Sequence, residues 1–381
     1  MLSLDELLHP ITPERFLADY HGRKPLHIPA TEGAHKRGIL NWTRFNALLS
    51  QTSHWNAARL RMVRDNEPIP AEHFCTAVTD QSGTALRPSP AKVEVLLSTG
   101  ASLIANDIEP LTPETAKLAQ TLSSAFAAGV SANAYCSFGG IQAFGTHFDL
   151  HDVFAIHCEG EKTWRLYQTR ADNPVAYPVP EDRLRPWFAQ TRGALMQEVR
   201  MRPGDVLYLP RGWYHDALAD ADPSNASLHL TYSVTPLYGR IIFGLLENAA
   251  MQDPAFRTYF PPAGQNGGQD LADHLADLGR RLASLTALPQ FREEIAAAQQ
   301  RLVSRPAAYD LPRRRPLTLY APTNLMPPPF TGPMAEAIGW AMSQPRFALE
   351  DMIAEFDFLS EADVRAAVAR AETAGALKRV G

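Results

Sequence analysis

The sequence has no apolar run near the ~20 residues needed to span a bilayer, and no excess of cationic side chains. Its formal net charge is −5, from 36 Lys and Arg against 41 Asp and Glu, so the whole-molecule field does not favour a polyanionic partner. Cysteine is scarce. Cys75, Cys136 and Cys158 are an odd number with no C-x-x-C pair, which speaks against a thiolate metal site or a disulfide framework. They read as reduced thiols in a cytoplasmic protein. The opening MLSLDELLHP lacks the basic stretch and apolar core of a signal peptide. No internal repeat is visible.

What is present points to two or three units, since 381 residues exceed what one compact core holds. Thr12-Pro13-Glu14 opens a short helix, with Thr12 as N-cap. Leu118, Leu122, Phe126 and Ala127 predict an amphipathic helix over 113–129, ending at Gly129. From 131 to 238, short apolar or alternating runs (133–137, 153–158, 163–167, 206–209 and 227–234) stand between Gly-, Pro- and Asp-rich turns. That is the pattern of an all-β barrel or sandwich, with 168–198 long enough to hold its own loop or helix. Residues 239–305 turn helical, and Leu271, Leu275, Leu278, Leu282 and Leu285 form a narrow seam suited to helix packing. The proline-rich stretch 306–333, with Arg313-Arg314-Arg315 inside it, reads as an extended linker. The tail 334–381 shows helical patterns at 334–343, 349–356 and 360–374, the last opened by a Ser360-Glu361-Ala362-Asp363 capping box. With a short apolar–basic end at 376–380, its order is winged-helix-like.

Two segments carry chemistry. In Gly145-Thr146-His147-Phe148-Asp149, strand alternation would turn His147 and Asp149 to one face, as two neighbouring ligands for a divalent metal. In Pro203–His215, a Pro-Gly-Asp turn, a short apolar strand and a Pro-x-Gly turn lead to His215, placed to be the third ligand. Two histidines and a carboxylate leave open positions, as in non-heme iron(II) oxygenases, where a 2-oxoacid and dioxygen fill them. Structural zinc would want four closed ligands, usually with thiolates. Taken singly, each motif also has a plain reading: an H-x-D triplet of ordinary strand residues, or a common hairpin turn.

Together they resemble the cupin superfamily. Gly204, Pro210, Gly212 and His215 match the second cupin motif, G-x5-P-x-G-x2-H, at every spacing, although the asparagine that follows in the family is absent. His147 to Phe154 followed by Glu159–Tyr167 is similar to the JmjC branch of 2-oxoglutarate oxygenases, and within it to the ribosomal oxygenases. Asn133-Ala134-Tyr135 and the entry segment FLADYHGRKPL at Phe16–Leu26 match that branch as well. The resemblance implies an α+β chain. A double-stranded β-helix (jelly-roll) catalytic domain would cover 1–238, with flanking helices and its barrel at about 131–238. A helical dimerisation segment at 239–305, the linker at 306–333 and the winged-helix-like domain at 334–381 would follow. It also implies that Lys162, fifteen residues after His147, pairs with the distal carboxylate of 2-oxoglutarate, assisted by the Tyr135 hydroxyl. Asn133, Thr231 and Ser233 would line the same pocket. The implied reaction couples conversion of 2-oxoglutarate to succinate and carbon dioxide with hydroxylation of a C–H bond.

On this resemblance the expected function is hydroxylation of an arginine or histidine side chain of a ribosomal protein by a cytoplasmic homodimer. Two alternatives stand beside it: the same chemistry on a small peptide or natural product, and a non-catalytic cupin sensor. His151 continues the alternation after Asp149 and is a rival ligand expected to turn away. Phe144 replaces a threonine found in some JmjC hydroxylases, and His157 stands where the ribosomal branch often has glutamine, facing either core or channel. Trp213, Tyr214 and Asp216 are candidate substrate contacts. On the last tail helix, Glu361, Asp363 and Glu372 offset Arg365 and Arg370, which argues against strong phosphate contact and for a protein–protein role.

Overall fold

The computed structural model describes residues 3–31, 38–81, 83–138, 144–219, 226–303 and 316–380. They fall into two units, one within Met1–Thr235 and one within Pro236–Val303 and Tyr309–Gly381.

The first unit is built on strands β1 (Leu26–Ile28), β2 (Leu60–Arg64), β3 (Glu67–Pro68), β4 (Cys75–Asp80), β5 (Gly83–Pro88), β6 (Ser102–Ala105), β7 (Ala128–Phe138), β8 (Asp152–Glu159), β9 (Lys162–Arg170), β10 (Leu195–Met201), β11 (Val206–Leu209), β12 (Trp213–Ala219) and β13 (Ala226–Pro236). Eight of them form a major sheet in the order β1-β11-β8-β13-β7-β6-β2-β3, and three form a minor sheet, β10-β9-β12. Two facing sheets with helices packed on the larger one make an α+β fold of the jelly-roll kind that the sequence predicts.

Period-two alternation sorts the side chains of the major sheet into two layers. Phe154, Ile156, Tyr208, Leu230 and Tyr232 pack with Leu7, Phe16, Leu118 and Leu122 from the helices Leu4–Leu8, Pro13–Asp19 and Pro113–Phe126. Val153, Ala155, Leu207 and Leu209 turn the other way and pack on Trp164, Leu166, Val199 and Met201 of the minor sheet. Both faces of β8 and β11 are therefore buried, which is why these strands read as unbroken apolar runs.

Several expectations need correction. The strand system is not confined to 131–238, because β1, β2, β3 and β6 extend the major sheet from the N-terminal part. They are short runs: β1 pairs with the distant β11 and β2 with the distant β6, while β3 is a two-residue arm of a tight hairpin with β2. The helix expected over 113–129 stops at Phe126, where Ala127 adopts a left-handed conformation (φ 47°) and Ala128 starts β7. The segment 168–198 does hold a helix, Glu181–Thr191, and it also supplies the first residues of β10.

In the second unit, helices Ile241–Ala250, Gln269–Thr286 and Pro289–Leu302 precede a tail of three helices, Gly332–Ser343, Leu349–Glu355 and Glu361–Thr373. Ser360 caps the last of these, its hydroxyl accepting from the Asp363 N–H. Strands β14 (Leu319–Pro322), β15 (Phe347–Ala348) and β16 (Leu377–Arg379) form a sheet with β14 in the centre. Part of the expected linker is therefore structured: Tyr320 packs against Phe347, a contact that an extended linker would not make. Residues 306–315, with the three arginines, lie outside the described residues.

The turn between β8 and β9 constrains the site most tightly. Gly160 has φ +67°, and a Cβ there would lie 1.9 Å from the Ala226 carbonyl oxygen. Gly160→Ala should therefore destabilise the first unit by roughly 2–4 kcal/mol, measured as a lowered urea midpoint. An unchanged midpoint would mean that the Ala226 backbone moves aside freely.

Candidate metal centre and its cavity

His147 and His215 face each other across an isolated antiparallel bridge. The His147 N–H donates to the His215 carbonyl at 2.9 Å and the His215 N–H to the His147 carbonyl at 2.8 Å, while the Gly212 N–H holds the Asp149 carbonyl at 2.9 Å. His147 and Asp149 thus lie on an irregular segment pinned to the start of β12, and not on the continuous strand that alternation predicts. The backbone bends at Phe144 and Thr146, and the single bridge is too little pairing to extend a strand. The two side chains converge nonetheless.

The rings are oriented by their neighbours. His147 Nδ1 lies 2.8 Å from the Gly145 carbonyl and His215 Nδ1 lies 2.9 Å from the Trp213 carbonyl. A carbonyl only accepts, so each Nδ1 carries a proton and each Nε2 is the ring nitrogen aimed at the site. Those Nε2 atoms stand 4.0 and 3.5 Å from the Asp149 carboxylate oxygens. One ligand atom from each of the three residues lies within 4.8 Å of the others. Burial, reinforced by repulsion from His147, pushes the His215 imidazole down to about 4, so it stays neutral. Burial alone would raise the Asp149 carboxyl, but the nearby His147, His215 and His151 outweigh it and hold it below its ordinary value. Two imidazoles turned toward an ionised carboxylate are a donor set that fits an open divalent metal site.

A cavity of about 260 Å³ opens beside these ligands. All eight sequence-derived site residues line it: His147, Asp149, His215, Lys162, Tyr135, Asn133, Thr231 and Ser233. Alternation puts them there. Asn133 and Tyr135 are the inward residues of β7, Thr231 and Ser233 those of β13, and Lys162 is the first inward residue of β9. His151 also lines the cavity but stands outside the compact ligand group, and Phe144 closes one wall. Two residues were missed, although the same alternation marks them. Trp164 follows Lys162 by two and stacks on His215 at 5.7 Å, and His229 precedes Thr231 by two and stacks on Tyr135 at 4.9 Å. His157 proves to be a core residue, 0% exposed, with Nε2 on the Gly160 carbonyl.

The cavity lining suits an anion. Lys162 is 2% exposed and has no carboxylate partner among the described residues. Burial alone drives its ammonium down to about 8, slightly offset by Cys136. His229 Nδ1 and Trp164 Nε1 are likewise buried without a hydrogen-bond partner. An unpaired buried cation beside unpaired polar nitrogens is costly unless a ligand carboxylate joins them. The fit to a dicarboxylate is good.

The candidate substrate contacts Trp213, Tyr214 and Asp216 are not at the cavity. Tyr214 and Asp216 are buried at 1% and 2% exposure, and the Trp213 indole donates to the Tyr167 carbonyl. Strand alternation turns Tyr214 and Asp216 away from the face that His215 uses. The accessible approach is instead a groove of about 860 Å³ that shares Phe144 and His147 with the cavity. It runs between Arg61, Val63 and Glu67 on one side and Glu181, Asp182, Leu184 and Arg185 of the helix Glu181–Thr191 on the other.

Residues 107–237 match the JmjC domain family. Over 151 residues the chain is 36% identical to a bifunctional lysine-specific demethylase and histidyl-hydroxylase NO66 of Dictyostelium discoideum, covering 38% of this chain and 28% of that protein. It is 26% identical over 262 residues to ribosomal oxygenase 1 of Danio rerio, covering 67% of this chain and 45% of that protein. The chain thus spans less than half the length of either relative. The Escherichia coli ribosomal oxygenase YcfD in complex with cobalt and 2-oxoglutarate aligns over 98% of this chain and 99% of that one, at 16% identity and a TM-score of 0.49.

The folded pKa of Lys162, about 8, lies below the 10.5 of a free lysine. Between those values the unfolded chain binds more protons, so stability rises with pH across that window. Without ligand at pH 7, Lys162→Met should therefore be more stable than the wild type, by on the order of 2 kcal/mol. That advantage should shrink as the pH rises from 8 towards 10.5, which urea titrations at pH 7 and pH 9.5 would detect. A variant less stable than the wild type at pH 7 would contradict the burial cost.

Proposed function

We propose, on the premise that residues 107–237 form a JmjC domain, that this chain is an iron(II)- and 2-oxoglutarate-dependent hydroxylase of a ribosomal protein, acting on an arginine or histidine side chain. The observation that carries the reading is the juxtaposition of the His147–Asp149–His215 ligand group with the unpaired, buried Lys162 in one cavity. A metal site alone would serve many reactions. A metal site with a buried cation along the cavity wall suits a chelating dicarboxylate.

Iron(II) with 2-oxoglutarate and dioxygen supplies the oxidising power, converting the cosubstrate to succinate and carbon dioxide while one oxygen atom enters a C–H bond of the substrate. The protein's part is binding and orientation. His147, Asp149 and His215 would hold the metal and leave its remaining positions open. Lys162 would pair with the distal carboxylate, with the Tyr135 hydroxyl donating to it; burial, aided by Asp149, pushes that phenol up to about 12, so it stays protonated. Asn133, Thr231 and Ser233 would offer further polar contacts. Trp164 and Phe144 would exclude water from the reacting groups. The groove is lined by charges of both signs, Glu67, Glu181 and Asp182 with Arg61 and Arg185, which suits a polar polypeptide.

A homodimer is the second part of the reading. The helix Gln269–Thr286 buries none of its side chains fully, and Leu275 of the leucine seam is 52% exposed. Phe243 at 71% and Tyr259 at 96% add to the uncovered apolar surface of that segment. A second copy would cover such a surface. Among the described residues no helix is long and apolar enough to cross a membrane.

Iron-loaded protein given 2-oxoglutarate and peptides of ribosomal proteins should release succinate and yield a product about 16 Da heavier, and Asp149→Ala should abolish both. Failure of the wild type to bind 2-oxoglutarate would sink the oxygenase reading. Ribosomal proteins of unchanged mass in a strain lacking the chain would remove the ribosomal substrate. Light scattering should give the mass of a dimer, and Leu275→Glu with Leu282→Glu should give a monomer. A monomeric wild type would rule the interface out.

A further inference from the structure

The residues next to the metal ligands in sequence form a hydrogen-bonded assembly that the reaction itself does not require. Asp216 follows His215 and is 2% exposed. Its Oδ2 accepts from the Tyr167 hydroxyl at 2.6 Å and from the Thr146 hydroxyl at 2.8 Å, and Thr146 precedes His147. Arg192 Nη1 donates to both hydroxyl oxygens, at 2.8 Å to Tyr167 and 2.9 Å to Thr146, and its guanidinium lies 4.6 Å above the Tyr167 ring. A guanidinium cannot accept, so both hydroxyl protons are committed to the carboxylate and every bond has a fixed direction. Asp216 Oδ1 has no hydrogen-bond partner, and the nearest cation to it, Arg165 Nη1, is 4.0 Å away.

The surroundings make this arrangement expensive. Tyr167 belongs to an aromatic cluster with Phe148, Phe188 and Tyr214, where a buried carboxylate contributes little to stability compared with an apolar side chain. What it does provide is registry. Thr146 sits on one side of the His147–His215 bridge and Asp216 on the other, so their bond fixes the two ligand-bearing segments relative to each other. Arg192 is the C-cap residue of the helix Glu181–Thr191, which forms one wall of the groove.

We propose that Asp216, Thr146, Tyr167 and Arg192 are positioning residues that hold the two histidine-bearing segments at the separation the metal needs, and tie that separation to the groove wall. The inference rests on the metal-site reading above. Groups bonded directly to metal ligands typically change affinity by ten- to a hundredfold when removed, and these residues act one step further out, through the backbone next to His147 and His215, so the lower end of that range applies.

Cobalt(II) is the probe, because its affinity and visible absorption both report the ligand geometry without turnover. Calorimetric titration should show Tyr167→Phe and Thr146→Val binding cobalt(II) about tenfold or more weakly than the wild type, with altered absorption bands. Thr146→Ser, which keeps the hydroxyl, should restore wild-type binding. Asp216→Asn should behave like the first pair; if it does not fold, that pair decides. A wild type that takes up no cobalt(II) would overturn the metal-site reading and this inference with it. A wild type that binds, with folded Tyr167→Phe and Thr146→Val binding within about twofold of it, would overturn the network alone.

Discussion

Two backbone hydrogen bonds between His147 and His215 are the constraint on which the functional part of the chain depends. They join residues 68 positions apart into one short antiparallel contact, and everything metal-directed hangs from it. The imidazoles are aimed by carbonyls two residues upstream of each ring, at Gly145 and Trp213. The carboxylate is aimed by Gly212 gripping the Asp149 backbone. The side chains that would bind the metal are therefore set by main-chain bonds, which change less with sequence than side-chain packing does.

The sheet supplies the rest by simple alternation. One face of the major sheet is given to an apolar layer under the helices, and the other faces the minor sheet, apolar at β8 and β11 and polar at β7 and β13. This division explains how a cavity lined by a lysine, histidines and hydroxyls can exist inside a well-packed unit. The polar residues occupy one parity of strands whose other parity supplies core. Lys162 carries the clearest cost, because no carboxylate among the described residues pairs with it. Such a group is tolerated where binding, and not folding, is what the position serves.

Legibility from sequence followed the physics of burial. The strands β8, β11 and β13 are buried on both faces or alternate cleanly, and their apolar patterns mark them. Strand β10 has the pattern Leu195–Met201 with only Val199 and Met201 buried, so its residues look like loop. β12 begins in a Pro-x-Gly turn and mixes aromatic with ionisable residues, so it reads as a turn followed by a ligand. The grouping of the cavity-lining residues was more legible than the strands that carry them, because His147 with Lys162, and Gly204 with His215, are tied by short fixed spacings. Substrate contacts were not legible: Tyr214 and Asp216 sit beside His215 in sequence, but strand alternation sends them into the opposite layer.

The leucine seam shows the limit of periodicity in a different way. A repeat of leucines at steps of four and three establishes an amphipathic helix and says nothing about what covers its face. Leu271, Leu278, Leu282 and Leu285 are only half-buried within the chain, and Leu275 less than that. A helix of this kind gains little from its own chain, since most helical stability comes from packing of the apolar face. An intramolecular core would have buried at least the central leucines, as the tail does with Ile338, Met352 and Val364 around Tyr320. The contrast between these two parts of one unit is therefore one of packing: the tail closes a core of its own, and the seam keeps an apolar face that the described residues only partly cover.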